Sequence, residues 1–398
     1  MRAAIIGGGA SGLAAAITAA ENGADVTIYE SEARVGRKIL ATGNGRCNLT
    51  NQGAAVKNYH GKSPSFIKGA IHRFWVAETI ELFESLGVVC KTEDKGKVYP
   101  YSDQASAVLD VLRMRCEELG VEIMTEFEVK SIRKAGAEFE ISAYDGRKAR
   151  ADKLLVATGG KAAPTLGSKG AGYALLKSMG HTISELRPSL VQLKTEPETV
   201  KKLKGIKLDA RVKMGKHSAE GELLFTDYGL SGPPIFDITS QYEGQKFIEV
   251  DLMPEYDRDA LRQMLYTRMC NAPDRTLENF FTGMLNKKLG MALLKDAGAA
   301  PLSRKACTLG ESEIEKLIEL IKAWRFRIEG TMSWNNAQTT KGGALTEEFN
   351  PVTMESLKVK GLYASGEVLD IDGDCGGYNL QWAWSSGVLA GRAMAKAN

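Results

Sequence analysis

One stretch near the start of the chain constrains the fold more than any other: the first thirty residues, MRAAIIGGGASGLAAAITAAENGADVTIYE. An apolar run over residues 3–6 predicts a buried strand, and three glycines with the G-x-G-x-x-G spacing follow it. Residues 10–20 are mostly small and predict a helix, and residues 25–29 predict a second strand that ends just before Glu30. This order of elements predicts a βαβ unit that binds a dinucleotide.

The three glycines and the acid each have a physical task in such a unit. Gly7 permits the tight turn, Gly9 lets the backbone approach a pyrophosphate, and Gly12 lets the helix pack closely on the strand. The helix N-terminus offers unpaired N–H groups and the positive end of its dipole to the phosphates. The Glu30 carboxylate can accept hydrogen bonds from both hydroxyl groups of an adenosine ribose, and its charge disfavours a 2′-phosphate there.

The composition is typical of a globular enzyme. Of the 398 residues, 43% are hydrophobic and 25% are charged, which predicts two or three domains with ample core. The net charge is only +3, so we expect neither a nucleic-acid partner nor a membrane partner. The six cysteines are scattered without a C-x-x-C pair, which predicts no metal site and no disulfide scaffold. We expect a cytoplasmic protein whose partner is a small-molecule substrate.

A second glycine-rich stretch, residues 34–51, predicts an extended loop that wraps a flat, anionic ligand. Arg37 and Lys38 could neutralise a pyrophosphate, and Asn44 and Asn48 could form hydrogen bonds with the polar edge of a ring. A glycine-rich surface turn is the alternative. Cys47 lies inside the loop as a small packing residue or, alternatively, as a thiol near a redox-active ring.

Two further segments predict contacts at the carboxyl edge of the sheet. A buried strand over residues 153–157 leads into Thr158 and Gly159, where ligands of such sheets bind. Val129 lies at the end of a predicted strand with its backbone free to reach an adenine edge. Residues 167–181 also begin with glycines, but no buried strand precedes them, so we do not predict a second dinucleotide fingerprint there.

The pattern of predicted secondary structure changes after Arg187. Short strands separated by Gly, Pro and Lys predict a small barrel or sandwich, and residues 257–296 have helical periodicity. Beyond residue 330 the chain returns to glycine-rich sequence, with a strand before Gly366 and a helix from about Tyr378. The D-x-D-x-D run at residues 370–374 resembles part of a calcium loop but lacks the later Glu ligand, so we reject a calcium site.

Five blocks of this sequence together resemble one group of flavoproteins. They are GGGASG from Gly7, VGRKILATGNGRCNLTN from Val35, ATGGKAAPTLGSKGAGY from Ala157, KGGA from Lys341 and SGEVLDIDGDCGGYNLQWAWSSG from Ser365. The chain resembles the flavoproteins with two dinucleotide-binding domains. More closely, it is similar to a bacterial family of FAD-dependent oxidoreductases that includes aminoacetone-oxidase-like enzymes and a bile-acid-pathway reductase.

The resemblance implies an α/β fold with a Rossmann-like FAD-binding domain formed from both chain ends. An inserted β-barrel or sandwich and a small helical domain would interrupt it. The expected segments are the first part of the FAD-binding domain at 1–187, the first part of the β domain at 188–254, a helical cap at 255–307, the return of the β domain at 308–330 and the second part of the FAD-binding domain at 331–398.

The resemblance also implies which residues hold the FAD. The first loop and Glu30 would hold the ADP half, and the loop from Arg37 to Asn48 would line the pyrophosphate and the isoalloxazine. Val129 would touch adenine, and the turn from Gly377 would face the flavin N1–C2=O edge. The full set is Gly7, Gly9, Ala10, Ser11, Gly12, Glu30, Arg37, Lys38, Gly43, Asn44, Gly45, Arg46, Cys47, Asn48, Val129, Ala157, Thr158, Gly159, Gly366, Glu367, Gly377, Asn379, Leu380 and Gln381.

The implied activity is hydride transfer at flavin N5 with a small or steroid-like organic substrate. The sequence has neither a second fingerprint for NAD(P)H nor a redox cysteine pair, so either NAD(P)H reaches the flavin as a diffusible donor or electrons come from the substrate and pass to oxygen. Two alternatives stay open: an amine oxidase of the aminoacetone type that uses O2, and a flavin-dependent tRNA-modifying enzyme. Lys341, Tyr378 and Asn336 are candidate catalytic residues, with Trp334 as a further candidate for lining the substrate pocket.

Overall fold

The computed structural model describes residues 1–396. The chain folds into two compact units. The first unit combines residues 1–189 with the segment from Trp334 onward, and the second comprises Leu190–Ser333. Each unit has a hydrophobic core of its own. Among the described residues, no helix is both long enough and apolar enough to span a bilayer.

The N-terminal part of the first unit supplies twelve strands and six helices. The strands are β1 (Arg2–Ile6), β2 (Asp25–Tyr29), β3 (Thr50–Asn51), β4 (Tyr59–His60), β5 (Cys90–Thr92), β6 (Lys97–Pro100), β7 (Glu122–Met124), β8 (Val129–Ala135), β9 (Glu138–Ala143), β10 (Lys148–Ala151), β11 (Lys153–Val156) and β12 (Arg187–Ser189). The helices are α1 (Ala10–Glu21), α2 (Arg37–Ala41), α3 (Lys68–Ile71), α4 (Val76–Ser85), α5 (Ala105–Glu118) and α6 (Ala171–Ser178).

The second unit is a barrel with helices. Its strands are β13 (Leu193–Thr195), β14 (Lys207–Met214), β15 (His217–Phe225), β16 (Gly229–Ser231), β17 (Phe247–Asp251) and β18 (Trp324–Thr331). Its helices are α7 (Pro197–Val200), α8 (Pro233–Thr239), α9 (Arg258–Asn271), α10 (Lys287–Asp296) and α11 (Glu311–Ala323). The strands close in the order β13-β16-β15-β14-β17-β18, so the inserted β structure is a barrel rather than a sandwich.

The C-terminal part completes the first unit. It supplies β19 (Thr339–Lys341), β20 (Leu362–Ala364), β21 (Asp372–Gly373) and α12 (Tyr378–Ala395). Strand β20 joins the parallel sheet β20-β11-β1-β2-β7, in which Leu154 pairs with Leu362. Parallel strands need crossovers that cover the sheet, and the side chains of β1 and β11 are accordingly almost all buried. The predicted α/β fold, with one Rossmann-like domain built from both chain ends, is confirmed.

Helices α1 and α12 pack closely because glycines line their contact. A Cβ atom on Gly387 would lie 2.3 Å from the Ser11 carbonyl oxygen, and one on Gly391 would lie 2.5 Å from the Ala15 oxygen. Such distances are far below van der Waals contact, so only glycine fits at either position. The C-terminal helix is thereby held against the helix of the glycine fingerprint.

Candidate cofactor site

The first loop has the geometry of a dinucleotide cradle. Gly7 has a φ of +104°, which favours glycine. A Cβ atom on Gly12 would lie 1.9 Å from the Gly7 carbonyl oxygen, so this glycine permits the close approach of α1 to β1. A Cβ atom on Gly9 would meet nothing within 4 Å. The backbone therefore borders open space at Gly9, where Ala10 and Ser11 begin α1.

Glu30 is fixed at the end of β2 by backbone donors. Its Oε2 accepts a hydrogen bond from the Gly8 N–H at 2.8 Å, and its Oε1 accepts one from the Glu32 N–H at 2.9 Å. Oε1 also accepts the Ser31 hydroxyl at 3.2 Å, so Oε2 is the oxygen that keeps a second acceptor site for a ribose hydroxyl. The carboxylate is only partly buried, which leaves it accessible to a ligand.

The two cations of the following segment are held by carboxylates of the same unit. Arg37 pairs with Glu32 and donates to the Thr165 carbonyl oxygen at 2.9 Å. Lys38 Nζ lies 2.8 Å from Glu367 Oε2. Lys38 is thus linked to the C-terminal block, which the sequence predicted to share the same cofactor.

The turn over residues 42–45 brings three predicted residues into the left-handed backbone region. Gly43, Asn44 and Gly45 have φ values of +56°, +56° and +84°. Left-handed backbone turns the chain tightly and exposes backbone N–H groups to a ligand. Arg46 departs from this set, because its guanidinium pairs with Glu93 and lies 4.1 Å from the centre of the Tyr99 ring.

Two buried residues follow that turn. Cys47 is fully buried with a φ of +61°, and burial raises the pKa of its thiol to about 12, partly offset by a hydrogen bond with Thr42. The thiol is therefore protonated at neutral pH and suits packing better than redox chemistry. Asn48 is 7% exposed, and its Oδ1 has no hydrogen-bond partner among the described residues.

The carboxyl edge of the parallel sheet gathers several more predicted residues. Ala157 is buried after β11, and the Thr158 and Gly159 backbone continues beyond the strand end. Val129 is not part of this edge: it begins β8 of the separate antiparallel sheet β10-β9-β8 and pairs with Ala143, so the prediction that it ends a strand with a free backbone is wrong. After β20, the Gly366 N–H donates to Ser386 Oγ at 2.9 Å. Ends of neighbouring parallel strands meet at one edge, as a ligand crossing that edge requires.

The first turn of α12 presents backbone rather than side chains. Asn379 bonds both the N–H and the carbonyl oxygen of Gly373 at 2.8 Å. Gln381 is fully buried and bonds Thr50, Thr79 and Ser385. Both side chains are thus used within the protein. The helix opens at Gly377 with a φ of +99°, and its first N–H groups, through that of Leu380, have no intrahelical acceptor.

These features fit the FAD that the resemblance implies. The open space at Gly9 suits a pyrophosphate, and the Glu30 carboxylate suits a ribose. The buried Asn48 Oδ1 lies 2.9 Å from where a Cβ on Gly377 would stand, so an orphaned acceptor faces the start of α12. An isoalloxazine ring offers both the N–H donor and the electron-rich N1–C2=O edge that this arrangement calls for.

The candidate catalytic residues lie in different local surroundings. Lys341 ends β19, where it pairs with Arg187, and its charge acts on Asp372. The Tyr378 ring packs edge-on against Tyr59, with the ring centres 6.2 Å apart. Asn336 is instead exposed in the segment before β19. Trp334 accepts the Ala163 N–H on its carbonyl oxygen, and Lys161 Nζ lies 5.0 Å from the centre of its ring.

Sequence reasoning missed a buried polar cluster next to α12. Asp372 and His60 are paired across β21 and β4, and His60 Nε2 lies 2.7 Å from Asp374 Oδ1. Ser189 Oγ donates to Asp372 Oδ2 at 3.3 Å. The alternating acids at residues 370–374 were a visible signal, but their partners come from distant segments.

The chain is similar to known proteins over nearly its whole length. A family model described as the HI0933-like protein Rossmann domain matches residues 1–393. The 3-dehydro-bile acid delta(4,6)-reductase of Clostridium scindens is 42% identical over 99% of each chain. The ribosomal RNA dihydrouridine synthase of Escherichia coli is 33% identical over 96% of this chain and 95% of its own.

A solved structure supports the fold alone. The 3-ketosteroid-delta4-(5alpha)-dehydrogenase of Rhodococcus jostii RHA1 aligns with a TM-score of 0.50 and 16% identity, over 99% of this chain and 96% of that one. The family match covers nearly the whole sequence, including both chain segments that form the first unit. The chain therefore belongs to the HI0933-like Rossmann-domain family and is an FAD-dependent oxidoreductase.

Proposed function

We propose that this oxidoreductase reduces a carbon–carbon double bond conjugated to a carbonyl group, in a 3-oxo steroid of the bile-acid class. The observation that carries the proposal is the 42% identity, over 99% of both chains, to a 3-dehydro-bile acid delta(4,6)-reductase. The bonds named there are conjugated to the 3-oxo group. The dihydrouridine synthase has a related task, since dihydrouridine is uridine with its ring double bond saturated next to a carbonyl.

The chain's own residues bind and tune the cofactor in this proposal. Bound FAD supplies hydride chemistry at N5. Gly7, Gly9 and Glu30 would hold the adenosine and pyrophosphate end. The N-terminus of α12 would lie at the N1–C2=O edge, where N–H groups without an intrahelical acceptor and the positive dipole end would stabilise negative charge and raise the reduction potential.

We further propose NAD(P)H as a diffusible electron donor. The glycines at 167 and 170 precede α6, but a 3-10 turn over Pro164–Leu166 stands before them rather than a buried strand. A second dinucleotide cradle is therefore not built at this position. The nicotinamide would reach the flavin transiently, in a ping-pong reaction.

An anaerobic experiment with the purified holoenzyme tests this function. NADH or NADPH is expected to bleach the flavin absorbance, and a 3-oxo-Δ4,6 steroid is then expected to restore it and to gain two hydrogens by mass spectrometry. An oxidised flavin that is bleached by aminoacetone, but by neither nicotinamide, would instead establish the amine oxidase. A reduced flavin that the steroid cannot reoxidise would contradict the proposed substrate.

A uridine in ribosomal RNA is the second candidate substrate, favoured by the 33% identity to a ribosomal RNA dihydrouridine synthase. The near-neutral net charge of +3 disfavours it, because RNA-binding proteins depend on phosphate contacts. Adding unmodified ribosomal RNA to the reduced holoenzyme distinguishes the two. Flavin reoxidation by RNA, together with dihydrouridine in the digested product, would replace the steroid by this substrate.

A further inference from the structure

A cleft of about 390 Å³ opens within the second unit, between the barrel and the helical segment that follows it. Ile206 and Leu208 line it at the start of β14, and Leu252 and Met253 line it just after β17. Residues 283–289, which lead into α10, form the opposite wall. A volume of this size lies within the range of sites that bind small molecules.

The walls of the cleft suit a flexible hydrocarbon chain. The segment that leads into α10 contributes Met284, Leu285 and Leu289. Leu252 and Leu289 are almost fully buried, whereas Met253 and Met284 are half-buried. Methionine is unbranched and polarisable, so its side chain adapts to ligands of irregular shape. The lining, all of it within the described residues, contains no aromatic ring on which a flat ring system would stack.

The polar side chains of the cleft, Lys207, Glu255 and Asn286, are exposed to solvent. Lys207 Nζ lies 2.9 Å from Glu222 Oε1, with 58% of the lysine and 52% of the glutamate side chain exposed. Exposed ion pairs of this kind contribute little to stability. A ligand anion can therefore replace Glu222 as the partner of Lys207.

The start of α10 adds positive potential on the other side of the cleft. Asn286 is the N-cap of this ten-residue helix, and its side chain accepts the Lys288 N–H at 3.0 Å. The neighbouring N–H groups of the first turn have no acceptor within the helix. The positive end of the helix dipole favours an anion here, as the charge of Lys207 does opposite. Together they favour a ligand with an anionic head group.

We propose that this cleft binds a straight-chain fatty acid anion. The hydrocarbon chain lies between the apolar walls, and the carboxylate lies between Lys207 and the first turn of α10. Glu255 repels the carboxylate and so limits the affinity. The site is contained in the second unit and does not depend on the reaction proposed above, because none of its residues belongs to the predicted FAD site.

Titration of the purified holoenzyme with dodecanoate tests the site, with calorimetry and NMR of 13C-labelled methionine methyl groups as readouts. We expect the Met253 and Met284 signals, assigned from Met253→Leu and Met284→Leu, to shift with the dissociation constant found by calorimetry. Met269 lies in α9 outside the lining, and its signal should stay in place. Decanoate should bind about tenfold more weakly than dodecanoate, because two fewer CH2 groups are buried.

Substitutions at the two charged residues should have opposite effects. We expect Lys207→Gln to weaken dodecanoate binding by about 2- to 5-fold, and Glu255→Gln to strengthen it by a similar factor. Lys213→Gln is the matched control, since Lys213 is an exposed lysine of the same strand that does not line the cleft. Dodecan-1-ol has the same chain without the charge, so it should bind more weakly and respond to neither substitution.

The outcomes separate this ligand from the other possible occupants. An absence of binding up to about 1 mM dodecanoate would overturn the proposal. Binding that leaves the Met253 and Met284 signals in place would also overturn it, because the anion would then lie elsewhere. Equal affinity for dodecan-1-ol, or a change in the same direction in Lys207→Gln and Glu255→Gln, would overturn the anionic head group. Tighter binding of cholate than of dodecanoate would replace the straight chain by a ring system.

Discussion

At the scale of the residue, Glu30 is the proposed link between the fold and the cofactor. Its two carboxylate oxygens anchor the N–H groups of Gly8 and Glu32, so the glycine loop and the residues after β2 are held by one side chain. Oε1 also accepts the Ser31 hydroxyl, whereas Oε2 retains an acceptor site for a ribose. Hydrogen bonds to charged groups contribute about 1.5–3 kcal/mol each, which makes this residue a sensitive point of attack.

We expect Glu30→Gln to weaken FAD binding by about 10- to 100-fold, since an amide can accept at one position only and places an NH2 group against a backbone donor. Quenching of flavin fluorescence during reconstitution of the apoprotein measures the dissociation constant. Glu122→Gln, on the neighbouring strand β7, is the control and should bind FAD normally. Unaltered affinity in Glu30→Gln would refute the ribose assignment.

Modification and substitution of Cys47 test whether the glycine-rich stretch at residues 34–51 takes part in thiol chemistry. Because burial raises the pKa of the thiol to about 12, we expect iodoacetamide at pH 7.5 to leave Cys47 unmodified while it alkylates the exposed Cys270. Peptide mass spectrometry measures both. Cys47→Ser should keep flavin reduction within about twofold of wild type, since the Thr42 contact survives. Loss of reduction would establish thiol chemistry at the flavin.

At the scale of the element, the contact between α1 and α12 depends on the absence of side chains. We expect Gly391→Ala to destabilise the protein by about 1–3 kcal/mol, because its Cβ would stand 2.5 Å from the Ala15 carbonyl oxygen and must push the helices apart. Urea unfolding measures the loss. Ala393→Gly, in the same helix, is the control for helix propensity, expected to cost about 1 kcal/mol or less. Equal stability of Gly391→Ala and wild type would contradict the packing described.

A partly buried group of hydrogen bonds around Glu348 joins the segment after α6 to the segment after β19. Glu348 accepts from His181 Nδ1 and from the Thr182 N–H, both at 2.9 Å, and from Lys358 Nζ at 2.6 Å. Burial alone would raise the pKa of Glu348, but these donors together lower it to about 2. A lowered pKa in the folded state means that the stabilisation is complete above the unfolded pKa and lost as the pH falls.

We therefore expect Glu348→Gln to lower the free energy of unfolding by about 1–3 kcal/mol at pH 7, with the deficit shrinking between about pH 4.5 and pH 2. Urea titrations of both proteins at pH 7, 4 and 3 measure it. Glu185→Gln, whose exposed carboxylate pairs with Arg187, should show no such pH-dependent difference. A deficit that stays constant down to pH 3 would show that the charge of Glu348 contributes nothing.

Sequence reasoning succeeded where the relevant contacts are local. The glycine spacing and Glu30 lie within thirty residues, so their pattern predicts the βαβ unit directly. It could not choose between barrel and sandwich, because closure depends on the pairing of β13 with β18, more than a hundred residues apart. It missed Asp372, whose partners His60, Ser189 and Lys341 come from three other segments.

At the scale of the whole molecule, the chain leaves the first unit and returns to it at adjacent strands. β12 and β19 are antiparallel neighbours, and Ser189 pairs with Thr339. The Trp334 carbonyl oxygen accepts the Ala163 N–H, which anchors the returning chain to the same unit. The inserted residues 190–333 have a core of their own. The FAD-binding unit thus has its full sheet and core without residues 190–333, although its sheet contains strands from both chain ends.

We expect a shortened chain, in which a linker of about eight Gly and Ser residues joins Ser189 to Trp334, to fold and bind FAD. Because Ser189 pairs with Thr339, the linker has to span little more than the length of the five residues from Trp334 to Thr339. A linker of this length spans up to ~28 Å, which is more than those five residues can cover. A yellow protein with one FAD, still sensitive to Glu30→Gln, is the expected result, and absorbance with circular dichroism measures it. The fragment 1–189 alone is the matched control, and it should fail because it lacks β20 and α12. A colourless, unfolded product from the linked chain, or a yellow fragment 1–189, would contradict the assignment of one cofactor site to both chain ends.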